Sequence, residues 1–466
     1  MLNMKPNPHD AQQNQIINSH HNADNSHNAN QRQSDATKSS KSNNSLSILP
    51  GRPSHPKKMS VQARRAYDNS PVNIDLAFTD IIGKGTFGQI ECAMLVLSEA
   101  GDRTSASAQK EPLKVAVKQV LQDPRYKNRE LSIMQKLRNH SNIVSFFYYY
   151  YSTSKGSSNR SSRNNTTNEG SSDVNIYLHL VLECFPESLC DLIFRYSQQS
   201  LNIPDLTVKL FTYQMLKALG YLHSHSICHR DIKSSNLLVN ESNLILKVCD
   251  FGSAKEMTPG STNVSYISSR YYRAPELLFG AQSYTCAIDT WSAGCVLAEM
   301  LRLYCLFAGT DSVDQLVKVI RVLGTPTVEE ILSMNPLYDT YNFPNVDACP
   351  VQIYFPIHTP VDMLNLMNQM LVYNPTRRIT PRNALNHDCF KDIRAIGPNG
   401  ILPNRIPMPP HIFDPDPEKV DAKKDDDKKS TNSNSTPQQH KDGKVKTPPG
   451  NRDSGKKKSN ENRDGK

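Results

Sequence analysis

Along the first 190 residues the apolar positions fall in short β-branched and aromatic runs, and beyond them they recur at helical spacing. Phe146-Phe147-Tyr148-Tyr149-Tyr150-Tyr151 and Ile176-Tyr177-Leu178-His179-Leu180-Val181-Leu182 read as strands, and the longest apolar run, Ile143 to Tyr151, reads as a buried one. Between them, Ser152 to Asp173 is rich in Ser, Asn and Gly and predicts an elongated hairpin loop rather than a linker between domains. One strong helix is predicted in this half, from Arg125 to Arg138. Val208 to Ser224 and Asp289 to Leu303 are the clearest helices of the second half. No internal repeat is present. The pattern predicts a small strand-rich lobe followed by a larger helical one.

The whole chain has 466 residues, of which 37% are apolar. That is below the roughly 45–50% usual for globular chains, so part of the length cannot pack. Residues 1–70 are dominated by Asn, Gln, Ser and His, and 417–466 carry only Val420, Ala422 and Val445 as apolar side chains. Both segments are expected to be disordered tails, because neither can offset the entropy of ordering. The net charge of +9 follows the same partition. The first tail holds nine basic against four acidic residues and the last fourteen against nine, while 151–173 holds three against two. What remains is slightly acidic, so the folding part has no electrostatic drive toward nucleic acid. No apolar run approaches the roughly 18–20 residues that span a bilayer. The Met-Leu-Asn start and Gly-Lys end lack lipidation signals, so no membrane association is expected. Ten cysteines without a C-x-x-C pair point to reduced thiols in the cytoplasm, with nuclear entry also open.

Candidate chemistry begins at Ile82, ahead of Gly83-Lys84-Gly85-Thr86-Phe87-Gly88 and followed by Gln89 and Ile90. Glycines at this spacing let backbone N–H groups approach phosphate oxygens. Alone the motif is equally a Gly-rich turn. A dinucleotide fingerprint would need a helix next, whereas Glu91 to Leu97 continues as strand. Val115-Ala116-Val117-Lys118 puts an ammonium on a rigid strand, where it can hold phosphates if an acidic partner aims it. Glu130 is the candidate partner, with Met134 and Leu137 giving its helix an inward face; a surface strand lysine and a solvated helix glutamate are the alternative. Then come His229-Arg230-Asp231-Ile232-Lys233-Ser234-Ser235-Asn236, Asp250-Phe251-Gly252 and Ala274-Pro275-Glu276. In phosphoryl transfer Asp231 takes the proton of the substrate hydroxyl and Lys233 neutralises the moving phosphoryl group, while Asn236 and Asp250 offer the oxygen ligands that Mg²⁺ requires.

These motifs, in this order, resemble those of the eukaryotic protein kinases over residues 75–395. The resemblance implies an α+β bilobal fold with ATP and Mg²⁺ in the cleft: a strand-rich lobe at 71–182 with a disordered insert at 152–173, a hinge at 183–186 and a helical lobe at 187–395. A Pro-rich extension, 396–416, would pack on or near the helical lobe. It further implies that Leu182 guards the back of the cleft and that the backbone of Glu183 and Phe185 meets adenine under a roof that includes Ala116. Met134, His229 and Phe251 would stack to align the lobes, and Asp289 and Arg378 would anchor the catalytic loop and Glu276. Lys233 is the Ser/Thr-kinase form.

Lys127 to Leu131, Asp250 to Lys255, Asn263 to Glu276, Val313 to Val317 and Val322 to Thr327 are similar to the glycogen synthase kinase 3 (shaggy) family. By that resemblance Arg129, Arg230 and Lys255 form a pocket for a phosphate. Related kinases fill such a pocket with a phosphothreonine ten residues before the Ala of Ala-Pro-Glu. Here that position is Val264, so the pocket would take a phosphate on the substrate, four residues past the target Ser or Thr. An internal phosphate on Thr258, Ser261 or Thr262 is the alternative. Tyr266 matches the family's activation-loop phosphotyrosine, and Tyr338 to Phe343 resembles its groove for a scaffold-protein helix, although Tyr341 stands for the usual Phe. Ser234-Ser235 replaces the usual Pro-Gln, Arg302 to Ala308 lacks prolines, and Ser54 is only a distant echo of an inhibitory N-terminal serine. The expectation is a monomeric signalling kinase acting on phosphorylated protein substrates, binding neither nucleic acid nor membrane. A kinase-fold scaffold of weak activity is the alternative; it would normally lack one of Lys118, Glu130, Asp231, Asn236 or Asp250, all of which are present.

Overall fold

The structure is a computed structural model that describes residues 57–85, 88–97, 111–123, 128–155, 174–338 and 343–417. Among these, six antiparallel strands form the first lobe: β1 (Lys57–Arg65), β2 (Pro71–Gly85), β3 (Gly88–Leu97), β4 (Leu113–Leu121), β5 (Phe146–Lys155) and β6 (Val174–Glu183). Their order is β1-β2-β3-β4-β6-β5, and β1 returns to pair with β5 through Arg64–Tyr149 and Arg65–Tyr148. The period-2 alternation of strands sorts the side chains into two cores. Ile74, Leu76, Phe78, Ala93, Leu95, Val115, Val117 and Val181 fill the inside of the closed sheet. Ala116, Leu178, Leu180 and Leu182 face the other way, onto α1 (Glu130–Lys136) and the core of the helical lobe.

That second core is built on α3 (Asp205–Ser224) and α4 (Ala287–Arg302), which are buried on almost every side, as helices at the centre of a lobe must be. Before them α2 (Leu189–Gln198) starts on a capping box between Ser188 and Asp191. Residues 396–416 lie against α3: Leu402, Met408 and Ile412 are buried, and the Lys217 ammonium donates to the His411 carbonyl at 2.6 Å.

Three expectations need correction. Residues 57–65 are the strand β1, not tail, because Ala63 can reach the sheet core while its neighbours stay polar and exposed. The sheet also takes in residues 152–155, since Ser152 to Lys155 continue the β5–β6 ladder opposite Tyr177 to Val174. Of the helix predicted from Arg125 to Arg138, residues 125–127 lie outside the described residues and the helix observed is Glu130–Lys136, with the Asn128 side chain accepting the Glu130 N–H at its start. Residues 1–56, 156–173 and 418–466 lie outside the described residues.

Candidate active site

The cleft-facing row of the sheet is set by register. Ile90 pairs with Lys118, and Lys118 with Leu180, so the ammonium projects from the middle of the lobe toward α1. Lys118 Nζ lies 2.6 Å from Glu130 Oε1 and 2.8 Å from Asp250 Oδ1. Burial works against this ammonium, but Glu130 and Asp250 outweigh it and hold its pKa above the ordinary lysine value. At Asp250 burial is likewise overruled by Lys118, and the carboxyl falls to about 2. Glu130 is nearly inaccessible, and burial raises its pKa despite the lysine. The three groups are therefore locked as an anion–cation–anion bridge between strand, helix and the Asp-Phe-Gly turn.

Opposite stands the loop that carries Asp231. Asp289, at the start of α4, accepts the backbone N–H of His229 and of Arg230, each at 2.8 Å, and the imidazole of His223 at 3.0 Å. This buried carboxylate holds Arg230 in a left-handed conformation (φ 65°) that an arginine adopts only when its surroundings enforce it. Asp231 is thereby presented to the cleft with both oxygens engaged. Oδ1 receives the Ser269 N–H (2.9 Å) and hydroxyl (2.8 Å). Oδ2 lies 3.2 Å from both Lys233 Nζ and Asn236 Nδ2. His229 packs edge-on to Phe251 at 5.2 Å, and Met134 is buried on α1. Arg378 clasps Glu276 with two bonds of 2.7 and 2.6 Å above Trp291, a buried brace for the helical lobe.

In the glycine loop Thr86 and Phe87 lie outside the described residues. Gly88 is required by packing, since a Cβ there would meet the Gln119 carbonyl oxygen at 1.9 Å, whereas one on Gly83 would touch only Ile90 at 3.6 Å. Ile82 and Lys84 are exposed; Gln89 and Ile90 are half-buried. Ala116 and Leu182 pair directly on the cleft face. Next to them the Glu183 carboxylate is fixed by the Ser145 hydroxyl (2.8 Å) and by Lys247 (2.7 Å), whose ammonium also lies over the Phe185 ring.

A family model described as protein kinase domain matches residues 76–390. The chain is also similar to "Protein kinase gsk3" of Schizosaccharomyces pombe, 43% identical over 324 residues, 70% of this chain and 76% of that protein. The chain belongs to the glycogen synthase kinase 3 family of protein kinases. It is a protein serine/threonine kinase, with the bilobal fold, ATP binding and protein substrates that membership of that family carries.

Beyond the cleft of this kinase, Arg129, Arg230 and Lys255 come together where α1, the catalytic loop and the activation segment meet. Burial, then the neighbouring charges of Arg230 and Arg129, depress the Lys255 pKa. Arg230 donates to the Ser253 carbonyl at 2.7 Å and Lys255 to the Asn263 side-chain oxygen. Val264 beside them is 64% exposed. Tyr266 is 73% exposed, with the Arg273 guanidinium 4.6 Å from its ring centre. Of the segment Tyr338 to Phe343, the two ends pack edge-on against Phe279, at 5.0 and 5.8 Å, and 339–342 lie outside the described residues.

Sequence reasoning missed two groups. Ser269 holds both Asp231 and Lys233, and its signal was only its place five residues before Ala274. Ser234, read only as a departure, lies in a buried network with the Tyr272 hydroxyl and Glu299, whose carboxyl burial pushes up to about 7. Ser234 Oγ donates to Glu299 Oε1 at 3.1 Å, a bond that the usual proline could not make.

Proposed function

We propose that this kinase transfers the γ-phosphoryl group of Mg·ATP to Ser or Thr of proteins and prefers substrates already phosphorylated four residues C-terminal to the target. The observation that carries the second half is the meeting of three uncompensated cations beside a residue, Val264, that cannot itself carry phosphate. Three cations suit a dianion, and arginines bind it through parallel N–H···O bonds. Four residues of extended chain span ~13 Å, the reach of such a peptide from a phosphate on the cations to its target hydroxyl.

The chemistry follows from the charges around Asp231. The substrate hydroxyl donates to the Asp231 carboxylate, which is steered by Ser269, Asn236 and Lys233 and takes the proton as the hydroxyl oxygen attacks the γ-phosphorus. Lys118, aimed by Glu130, holds the non-transferred phosphates, and Lys233 offsets charge on the group in flight. The donor set fits Mg²⁺: Asp250 gives a carboxylate, and Asn236, whose amide nitrogen is spent on Asp231, keeps its oxygen for a cation. Among the described residues no group of three His, Cys, Asp or Glu side chains forms a cage. When bound, the ion supplies positive charge against the phosphates.

Two peptides that differ only in a phosphate four residues after the target Ser test the preference. Equal kcat/KM for both sinks it. For the base assignment, Asp231→Asn is expected to lose about 10²–10⁴-fold in kcat while nucleotide still binds. Turnover at the wild-type rate would remove Asp231 from that role.

A further inference from the structure

Two thiols face one another at the outer end of the cleft. Cys92 follows Ile90 by two residues on β3, so both side chains leave the same face of the sheet. It pairs with Ala116, and Ala116 with Leu182. Cys184 comes two residues after Leu182, just past the end of β6, where the sheet ladder gives way to the hinge. The two sulfurs, 92 positions apart in the chain, stand 3.4 Å from each other. Cys92 is 5% exposed and Cys184 is half-buried.

We propose that Cys92 and Cys184 are a redox-modification site, in which a hydroperoxide converts the two thiols into a reversible disulfide that ties β3 to the hinge and weakens nucleotide binding. The reaction needs no other participant. The Cys184 thiolate, the more accessible, attacks the outer oxygen of the hydroperoxide; the O–O bond breaks, an alcohol (water, for hydrogen peroxide) leaves, and a sulfenic acid forms. Cys92 then attacks that sulfur, the S–OH bond breaks, and the hydroxide leaves as water with the Cys92 proton. Two thiols and one hydroperoxide give one disulfide, one alcohol and one water; the sulfurs lose two electrons and the oxygens gain them.

Bond formation brings the sulfurs from 3.4 Å to about 2.05 Å, so they must approach by a little over an ångström. Glu183 is the last residue of the β4–β6 ladder, and Cys184 is free of it, so the hinge side can yield. The movement draws the hinge toward the roof row, between which the adenine edge is to lie. Burial, then the neighbouring Cys92 thiol, push the Cys184 thiol up to about 11, against the opposing charge of Lys114 on β4. Thiolate is scarce at neutral pH, and cross-linking is therefore slow there and speeds up about tenfold per pH unit below that value.

The test uses the full-length reduced protein, treated with hydrogen peroxide, alkylated and digested. Mass spectrometry is expected to find a Cys92–Cys184 peptide pair lacking two hydrogens and cleaved by dithiothreitol. The dissociation constant for a non-hydrolysable ATP analogue is expected to rise about 5- to 150-fold with the cross-link and to recover on reduction. By the same coupling, saturating analogue slows the cross-link. Cys92→Ser and Cys184→Ser, each compared with its own untreated sample, should lose both the linked peptide and the peroxide-dependent change. Peroxide that only over-oxidises Cys184, links other cysteines, leaves nucleotide affinity unchanged, or still weakens binding in Cys92→Ser overturns the proposal. Because every arm reads cross-linking or nucleotide affinity, the outcome is independent of any preference for phosphorylated substrates.

Discussion

The lysine of the cleft and the cations beside the activation segment are built from the same side-chain chemistry and end in opposite states. Lys118 is half-buried and held between two carboxylates, one of them within the 2.6 Å of a strong charge-assisted bond. Among the described residues, Arg129, Arg230 and Lys255 make no ion pair with any carboxylate, and the nearest oxygens they reach are a backbone carbonyl and an amide. A cation held between carboxylates is aimed by them and turns its remaining N–H toward a phosphate, with less net pull on a new anion than an unpaired one. One left with other cations is costly alone and strongly favours a dianion from outside. Glu299 is the third case: no cation among the described residues pairs with this buried carboxyl, and burial raises its pKa to about 7.

Mutation separates these cases. Lys118→Met is expected to reduce kcat about 10²–10³-fold equally on phosphorylated and unphosphorylated peptide, since its task lies in the cleft; steady-state assays on the pair of peptides read this directly. A loss confined to one peptide would merge the two regions into one. If Arg129 serves the proposed phosphate pocket, Arg129→Ala is expected to lower kcat/KM about 10- to 100-fold on the phosphorylated peptide and to leave the other unchanged. A variant that keeps a strong preference would detach Arg129 from the site.

Salt gives a smaller contrast. Raising ionic strength from about 0.05 to about 0.5 M should erode the proposed preference for phosphorylated peptide roughly threefold, because Arg129 and Lys255 are partly exposed and screened while the Lys118 pair is shielded by the buried Glu130. An unchanged ratio would argue for binding by shape rather than charge. The smallest effect concerns Glu299. Its folded pKa, about 7, lies above its ordinary value of 4.5, so the folded state binds more protons between them and loses stability as pH rises through that window. Glu299→Gln is neutral throughout. Thermal melting should show its stability relative to the parent improving from about pH 5 to about pH 8, and a constant difference would mean that Glu299 is ionised all along.

Much of the cleft was legible because its groups sit in short stretches whose local conformation is nearly fixed. Val115 to Lys118 is a strand by β-branching, and Asp250 caps its own turn by accepting the Gly252 N–H. Boundaries were less legible. Lys57 to Arg65 is too polar to be read as strand, and pairing to β2 and β5 makes it one. Helix α1 is shorter than its apolar spacing suggested, since the Asn128 side chain satisfies the Glu130 N–H ahead of it. Glu299 and the Cys92–Cys184 contact left no local mark at all, and Ser269 only its place before Ala274, because each depends on a partner between 36 and 92 positions away.

Residue types and their order determined the family, the two-lobed plan and the set of groups able to handle phosphate; local propensity and short motifs suffice for those. Folding in three dimensions decided which charges were neutralised and which were left open, since charge–charge energies depend on separation and burial, neither of which is written along the chain. It also decided that Ser234 meets a buried acid and that two distant thiols come within contact, for packing selects such neighbours only once strands and helices have been brought together.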